Sequence, residues 1–152
     1  PKDFLVHKAL ADGHARSGNY PSAKLAYEAA LKLKSDDAEV LNNLANVQLR
    51  LKDPGAVKTA EAAMTHAPGN ALVIDTLGWA LFQNGQTDRA LQLLRDARLR
   101  QPGNPEIRYH LAVVLAQTGR KTEAREELDF ALKSGSEFES IAQARSLASS
   151  LR

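Results

Sequence analysis

One arrangement of small and large apolar residues recurs four times along the chain's 152 residues, at 4–37, 38–70, 71–104 and 105–138. Three copies are 34 residues long and the second is one residue shorter. A unit this size is one supersecondary element. It cannot bury an apolar face alone, so successive copies must stack on each other. Few other folds are open to a chain built this way.

The third copy shows the pattern most fully. Leu77-Gly78 lies in a first helical stretch, Gly85 breaks it, Ala90, Leu94 and Ala97 line a second, and Pro102-Gly103-Asn104 closes the unit. The fourth copy repeats it with Leu111-Ala112, Gly119, Ala124, Leu128 and Ala131, and the first with Leu10-Ala11, Gly18, Ala23, Tyr27 and Ala30. The second copy has Leu44-Ala45, Ala56, Ala60, Ala63 and Pro68, and its missing residue falls in the turn Lys52-Asp53-Pro54-Gly55. Alanines on both helices let their backbones approach closely. Gly18, Gly85 and Gly119 follow a helical run, where a left-handed residue ends a helix at little cost only if it is glycine or asparagine. Pro68 and Pro102 cannot continue a helix interior. Asp36-Asp37, Asn70 and Asn104 stand where short polar side chains cap the next helix. Residues 138–151 add one more amphipathic stretch, with Phe138, Ile141, Ala144, Leu147, Ala148 and Leu151 at helical spacing. It reads as a helix capping the open end of the stack, with the first half of a fifth repeat as the alternative.

Composition agrees with a folded helical chain. Apolar residues make up 43%, charged residues 25%, and the formal charge is +2 with acidic and basic groups interleaved. No basic stripe offers itself to a phosphate backbone, so a nucleic-acid partner is not expected. No apolar run reaches the roughly 20 residues needed to span a bilayer. The chain has no cysteine, which excludes disulfides and thiolate metal sites. His7 and His14 are seven apart but lack a carboxylate at matching spacing, so no metal is expected. Neither a Gly-rich phosphate loop nor a nucleophile elbow is present. Glu123, Glu126 and Glu127 lie among Arg120, Lys121 and Arg125, as on a solvated charged helix face. The chain is therefore read as non-catalytic and without a cofactor. It starts at Pro1, so any targeting signal could lie outside it.

The four copies resemble the tetratricopeptide repeat across residues 4–138. The closing Pro of that pattern is replaced by Ser35 and Ser136 in the first and last copies. The resemblance implies an all-α fold: a right-handed α-α superhelix, or solenoid, of four helix pairs plus a capping helix over 138–151, forming a single domain. It also implies a concave groove lined by the first helices, on the side opposite their core stripe. The stripe is expected at repeat positions 4, 7, 8 and 11.

The groove candidates then follow copy by copy. They are Lys8, Asp12 and Arg16; Asn42, Asn43, Asn46 and Arg50; Asp75, Thr76, Trp79, Phe82 and Gln83; and Tyr109, His110, Val113 and Gln117. The asparagines offer both donor and acceptor to an extended peptide backbone, or else contact a neighbouring turn. Trp79, Phe82 and Tyr109 could seat an apolar side chain or stack on a sugar, whereas Phe82 and Tyr109 could instead pack between first helices. The carboxylate clamp of chaperone-binding tetratricopeptide domains matches only at Lys8 and Asn43. Asp12, Leu72 and Thr76 stand where Asn, Lys and Arg would be needed, so no tight binding of such tails is expected.

Residues 70–152 are also similar to the C-terminal repeats of bacterial tetratricopeptide lipoproteins that accompany exopolysaccharide and PEP-CTERM sorting loci. The strings Asp75-Thr-Leu-Gly-Trp79, Leu93-Leu-Arg-Asp-Ala97 and Pro105-Glu-Ile-Arg-Tyr-His-Leu-Ala112 carry that likeness. It implies a cell-envelope setting, periplasmic or anchored at the outer membrane, with the cytoplasm as the alternative, and the end of a longer solenoid. The function expected is a protein-binding scaffold for an extended segment. The alternatives are a carbohydrate-binding module for an exported polysaccharide and a structural or self-associating spacer.

Overall fold

The computed structural model describes residues 2–152. These residues form nine helices and no strand: α1 (Lys2–Arg16), α2 (Tyr20–Leu33), α3 (Ala38–Arg50), α4 (Ala56–His66), α5 (Ala71–Gln83), α6 (Thr87–Arg100), α7 (Pro105–Gln117), α8 (Lys121–Lys133) and α9 (Ile141–Ser150). Each helix packs on the next, giving the expected solenoid of four pairs and a terminal helix. That last helix starts at Ile141 rather than at residue 138. Residues 135–138 have no regular structure, and Glu139 and Ser140 form a turn.

Sequence dictates the ends of these helices. Asp37 accepts from the Val40 amide (3.0 Å), Asn70 from Leu72 (2.9 Å) and Asn104 from Glu106 (3.0 Å), so each side chain satisfies a donor left free at a helix start. Within every pair the first helix closes in the same way. The amide five residues on returns to the helix, as Asn19 to His14, Asp53 to Gln48, Gln86 to Leu81 and Arg120 to Leu115, all at 2.8–2.9 Å. This closure needs a left-handed residue at its corner. Gly18, Gly85 and Gly119 take φ of 78°, 82° and 83°, but in the second copy the corner is Lys52, at φ 55°. A side chain costs about 1–2 kcal/mol there. Lys52→Gly should therefore raise stability by roughly 1 kcal/mol, after the greater freedom of glycine in the unfolded chain is allowed for. A thermal melt a few degrees higher would show it, and an unchanged or lower midpoint would refute it.

The core is a chain of local clusters rather than one centre. Ala23, Ala90 and Ala124 on the second helices are fully buried, as are Ala11, Ala45 and Ala112 on the first. At Gly78 a Cβ would lie 2.9 Å from Leu94 Cγ, so α5 and α6 meet there more closely than alanine allows.

Three sequence expectations need correction. The core stripe of the first helices is wider than repeat positions 4, 7, 8 and 11. Val40, Val73 and Ile107 at position 3 are buried, and so are Val47, Ala80 and Val114 at position 10. The reason is that α3, α5 and α7 each lie between two second helices, their own and the preceding one. Leu10 is the reverse case: aligned with core leucines, it is exposed because none of the described helices precedes α1. Finally, Glu127 is not on the solvated face with Glu123 and Glu126. It is buried, ion-paired to Arg98 of α6 and, at 2.8 Å, to Arg108 of α7. Arg108 also lies 3.9 Å above the Phe130 ring and donates to the Pro102 carbonyl at 2.9 Å.

Candidate partner-binding groove

First helices touch one another, α3 with α5 and α5 with α7, and so form one wall of the stack. A trough of about 590 Å³ runs along it. Of the candidates, Asn42, Asn43, Asn46, Arg50, Asp75, Thr76, Trp79, Gln83, Tyr109 and His110 line this trough. A second hollow of about 380 Å³ adjoins it toward α1, lined by Asp12 and Arg16 together with Asn43, Asn46 and Arg50. Lys8, Val113 and Gln117 line neither hollow. Lys8 is instead held between Glu39 at 3.0 Å and Asp12 at 3.7 Å. Phe82 packs against the cores beneath, beside Trp79.

The trough divides by chemistry. Toward α1 it is polar. Tyr27 donates to Asp12 Oδ1 at 2.5 Å, with Asn43 beside its hydroxyl. Burial first, and then the Asp12 carboxylate, hold the Tyr27 phenol well above its usual pKa. Asn46 is exposed and Asn43 half-buried, so both can meet a ligand, whereas Asn42 Oδ1 is buried with no hydrogen-bond partner.

Toward α7 the trough is aromatic. Trp79 stacks on His110, with centroids 4.2 Å apart and planes 18° from parallel, and lies 5.5 Å from Phe82 and 6.3 Å from Tyr109. Asp75 and Thr76 form the floor and are spoken for: His110 Nδ1 is 2.8 Å from Asp75 Oδ1, and Thr76 Oγ1 donates to the Leu72 carbonyl at 2.9 Å.

Burial works against charging His110, and Arg50 adds to that. The Asp75 carboxylate, by charge and hydrogen bond, and Glu106 outweigh both, so the imidazole pKa is raised. The sign of the pH effect follows from a pKa higher in the folded chain than in the unfolded one. The stability that the pair contributes is fully present below about pH 6.5, the unfolded value, and is lost as pH rises through the folded one. In an NMR titration the His110 ring should lose its proton above the ordinary histidine value of about 6.5. His110→Gln should remove this part of the pH dependence of unfolding. A His110 titrating below the ordinary value would contradict the assignment.

The trough's far rim is formed by Glu106, at the start of α7, and by Glu139 and Ser140 in the segment joining α8 to α9, for which the repeat gave no signal. Glu139 makes an ion pair with Arg50 on α3, and Ser140 Oγ donates to Glu106 Oε1 at 2.8 Å. In the sequence Glu139 reads only as the polar side of a cap. Among the described residues no three His, Asp or Glu side chains gather to hold a metal, and no helix is long and apolar enough to cross a membrane.

Two family models described as tetratricopeptide repeat match the chain, over residues 8–71 and 81–148. No curated protein matches it. Among solved structures it is similar to TTC0263, a thermophilic TPR protein in Thermus thermophilus, with a TM-score of 0.83 and 24% identity over 97% of this chain and 80% of that one. It is also similar to MamA, with a TM-score of 0.72 and 20% identity over 99% and 86% of the two chains. YrrB, a TPR protein with an unusual peptide-binding site, gives a TM-score of 0.72 and 20% identity over 94% and 74%. Identities this low establish likeness of fold alone. With both halves matched by the same family and the pairs stacked in its manner, the chain belongs to the tetratricopeptide-repeat family.

Proposed function

We propose that this chain is a non-catalytic scaffold that holds an extended protein segment in the trough along its first helices. The trough itself carries the reading: Asn43 and Asn46 face a shared open hollow at one end, and Trp79 and Tyr109 lie at the other. Asparagine amides suit a peptide backbone, which presents alternating donors and acceptors. The aromatic end suits an apolar side chain. The walls are helices already in place, so little ordering cost falls on the scaffold. YrrB, which shares the fold, is a TPR protein with an unusual peptide-binding site, which supports a peptide as the class of partner here. The setting we propose is a bacterial envelope assembly of the exopolysaccharide or PEP-CTERM kind, on the likeness of residues 70–152 to such lipoproteins. A polysaccharide partner is less favoured, because one ring face of Trp79 is already covered by His110.

A pull-down with wild-type protein beside an Asn43→Ala, Trp79→Ala double variant tests this. A bound segment should lose about tenfold or more in affinity, as expected when a backbone hydrogen bond and an aromatic contact are removed together. Val113→Ala, Gln117→Ala should bind as wild type does. Equal binding by all three proteins would remove the trough from the function.

A further inference from the structure

We propose that the trough takes a segment bearing an acidic side chain at Arg50, and that Glu139 of the α8–α9 connector holds that place until the segment arrives. This rests on the scaffold reading and names the partner's chemistry within it.

Arg50 stands where the two hollows join, since it lines both, and Asn43, Asn46 and Glu139 do the same. Asn46 and Arg50 are four residues apart on α3, so they share a face. A backbone held by the asparagine amide therefore has a guanidinium within reach of its side chains. The chain already fills that place with a stretch of this kind. Residues 135–138 have no regular structure, and the acid that follows them, Glu139, pairs with Arg50.

Charge decides where along the trough an acid would lie. Two guanidiniums, Arg16 and Arg50, face the hollow toward α1. Its two carboxylates are engaged elsewhere than at Arg16: Asp12 by Tyr27 and Lys8, and Glu139 by Arg50. At the α7 end the order is reversed. Asp75 and Glu106 line it, and Glu106 Oε2 is buried without a hydrogen-bond partner while Ser140 serves Oε1. An anionic side chain is drawn to the first end and repelled from the second.

The exchange is cheap. The Arg50 and Glu139 side chains are 46% and 65% exposed, and a pair this open to water adds little stability. Arg50 has a second support that does not leave with Glu139, because its guanidinium lies 5.7 Å from the Tyr20 ring centroid.

Peptides selected on the wild-type chain from a random displayed library supply the probe, and fluorescence anisotropy measures them one by one. The selected peptides should carry Asp or Glu, and Arg50→Gln should weaken them. Glu139→Gln should tighten them about two- to fivefold, as expected when an exposed competing ion pair is removed. With Arg50→Gln already present, Glu139→Gln should change nothing. Replacing the peptide's own acid by its amide should abolish the gain in the same way. A gain that persists without Arg50 would be a general effect of charge and would overturn the proposal. So would peptides that lose affinity with Asn43→Ala, Trp79→Ala yet carry no acid or ignore Glu139→Gln; the scaffold reading would survive that result. A library that yields no peptide on either wild type or Glu139→Gln would overturn both.

Discussion

A Leu111→Ala variant should unfold about 3 kcal/mol more readily than the parent chain, whereas Leu10→Ala should cost less than about 0.5 kcal/mol. The two leucines hold the same place in their repeats, and only their surroundings differ. Leu111 is fully buried, in a core with Leu94 of the preceding pair and Leu115, Ala124 and Leu128 of its own. Truncating it removes apolar burial and leaves a cavity that stiff helices on both sides cannot collapse to fill. Leu10 loses contacts mainly with water. In a chain this size the first change corresponds to a fall in melting midpoint of roughly 6–12 °C and the second to about 2 °C or less. Paired urea and thermal melts measure both. Comparable losses at the two positions would mean that α1 is not the open end of the stack.

Glu127→Ala should be the most damaging change of a charged residue, at about 2–3 kcal/mol. Glu127 is buried on α8 and holds two guanidiniums, Arg98 from α6 and Arg108 from α7, so one carboxylate ties three helices. Removing it leaves two cations facing each other with no anion between them. Breaking a buried pair costs about 3–5 kcal/mol. The expected loss sits at or below the low end of that range because both arginines keep some contact with water. Glu127→Gln, which keeps an acceptor, should fall between wild type and alanine. Neighbouring Glu126→Ala, on an exposed side chain, should be close to neutral. Urea titrations of the three variants distinguish these outcomes, and a near-neutral Glu127→Ala would show that the knot contributes nothing.

The contrast between Glu126 and Glu127 also marks how far the sequence could be read. Whatever repeats was legible. The glycine corners, the Asp37, Asn70 and Asn104 caps, the alanine seams and the helix order all follow from residues recurring at one interval. What depends on a neighbouring unit was not. Glu127 sits in a run of charges that local spacing assigns to solvent, and only the arrival of Arg98 from the previous pair makes it a buried anchor. Val40, Val73 and Ile107 lie outside a stripe reckoned from one helix and one partner, because α3, α5 and α7 each have two second helices as partners. Lys52 shows the opposite: a repeat corner keeps its left-handed geometry even where the sequence no longer offers glycine. Of the trough, the asparagine turn and the aromatic end were open to inference from position in the repeat. Asp75 and Thr76 were nominated as contact residues, yet their polar atoms are already engaged by His110 and Leu72. The Glu139 rim has no counterpart in the repeats, so periodicity carried no trace of it.

Stacks of helix pairs bend by small rotations shared among their seams, and an arc of this kind ordinarily opens or tightens at little cost. Here the Glu139–Arg50 pair runs like a chord from the last connector to α3, skipping the repeat between, while Ser140 and Glu106 fasten the connector to α7. Widening the arc means parting that chord. The second to fourth repeats are thereby linked through a segment outside the repeating pattern, by a pair whose exposed side chains make it a weak fastening.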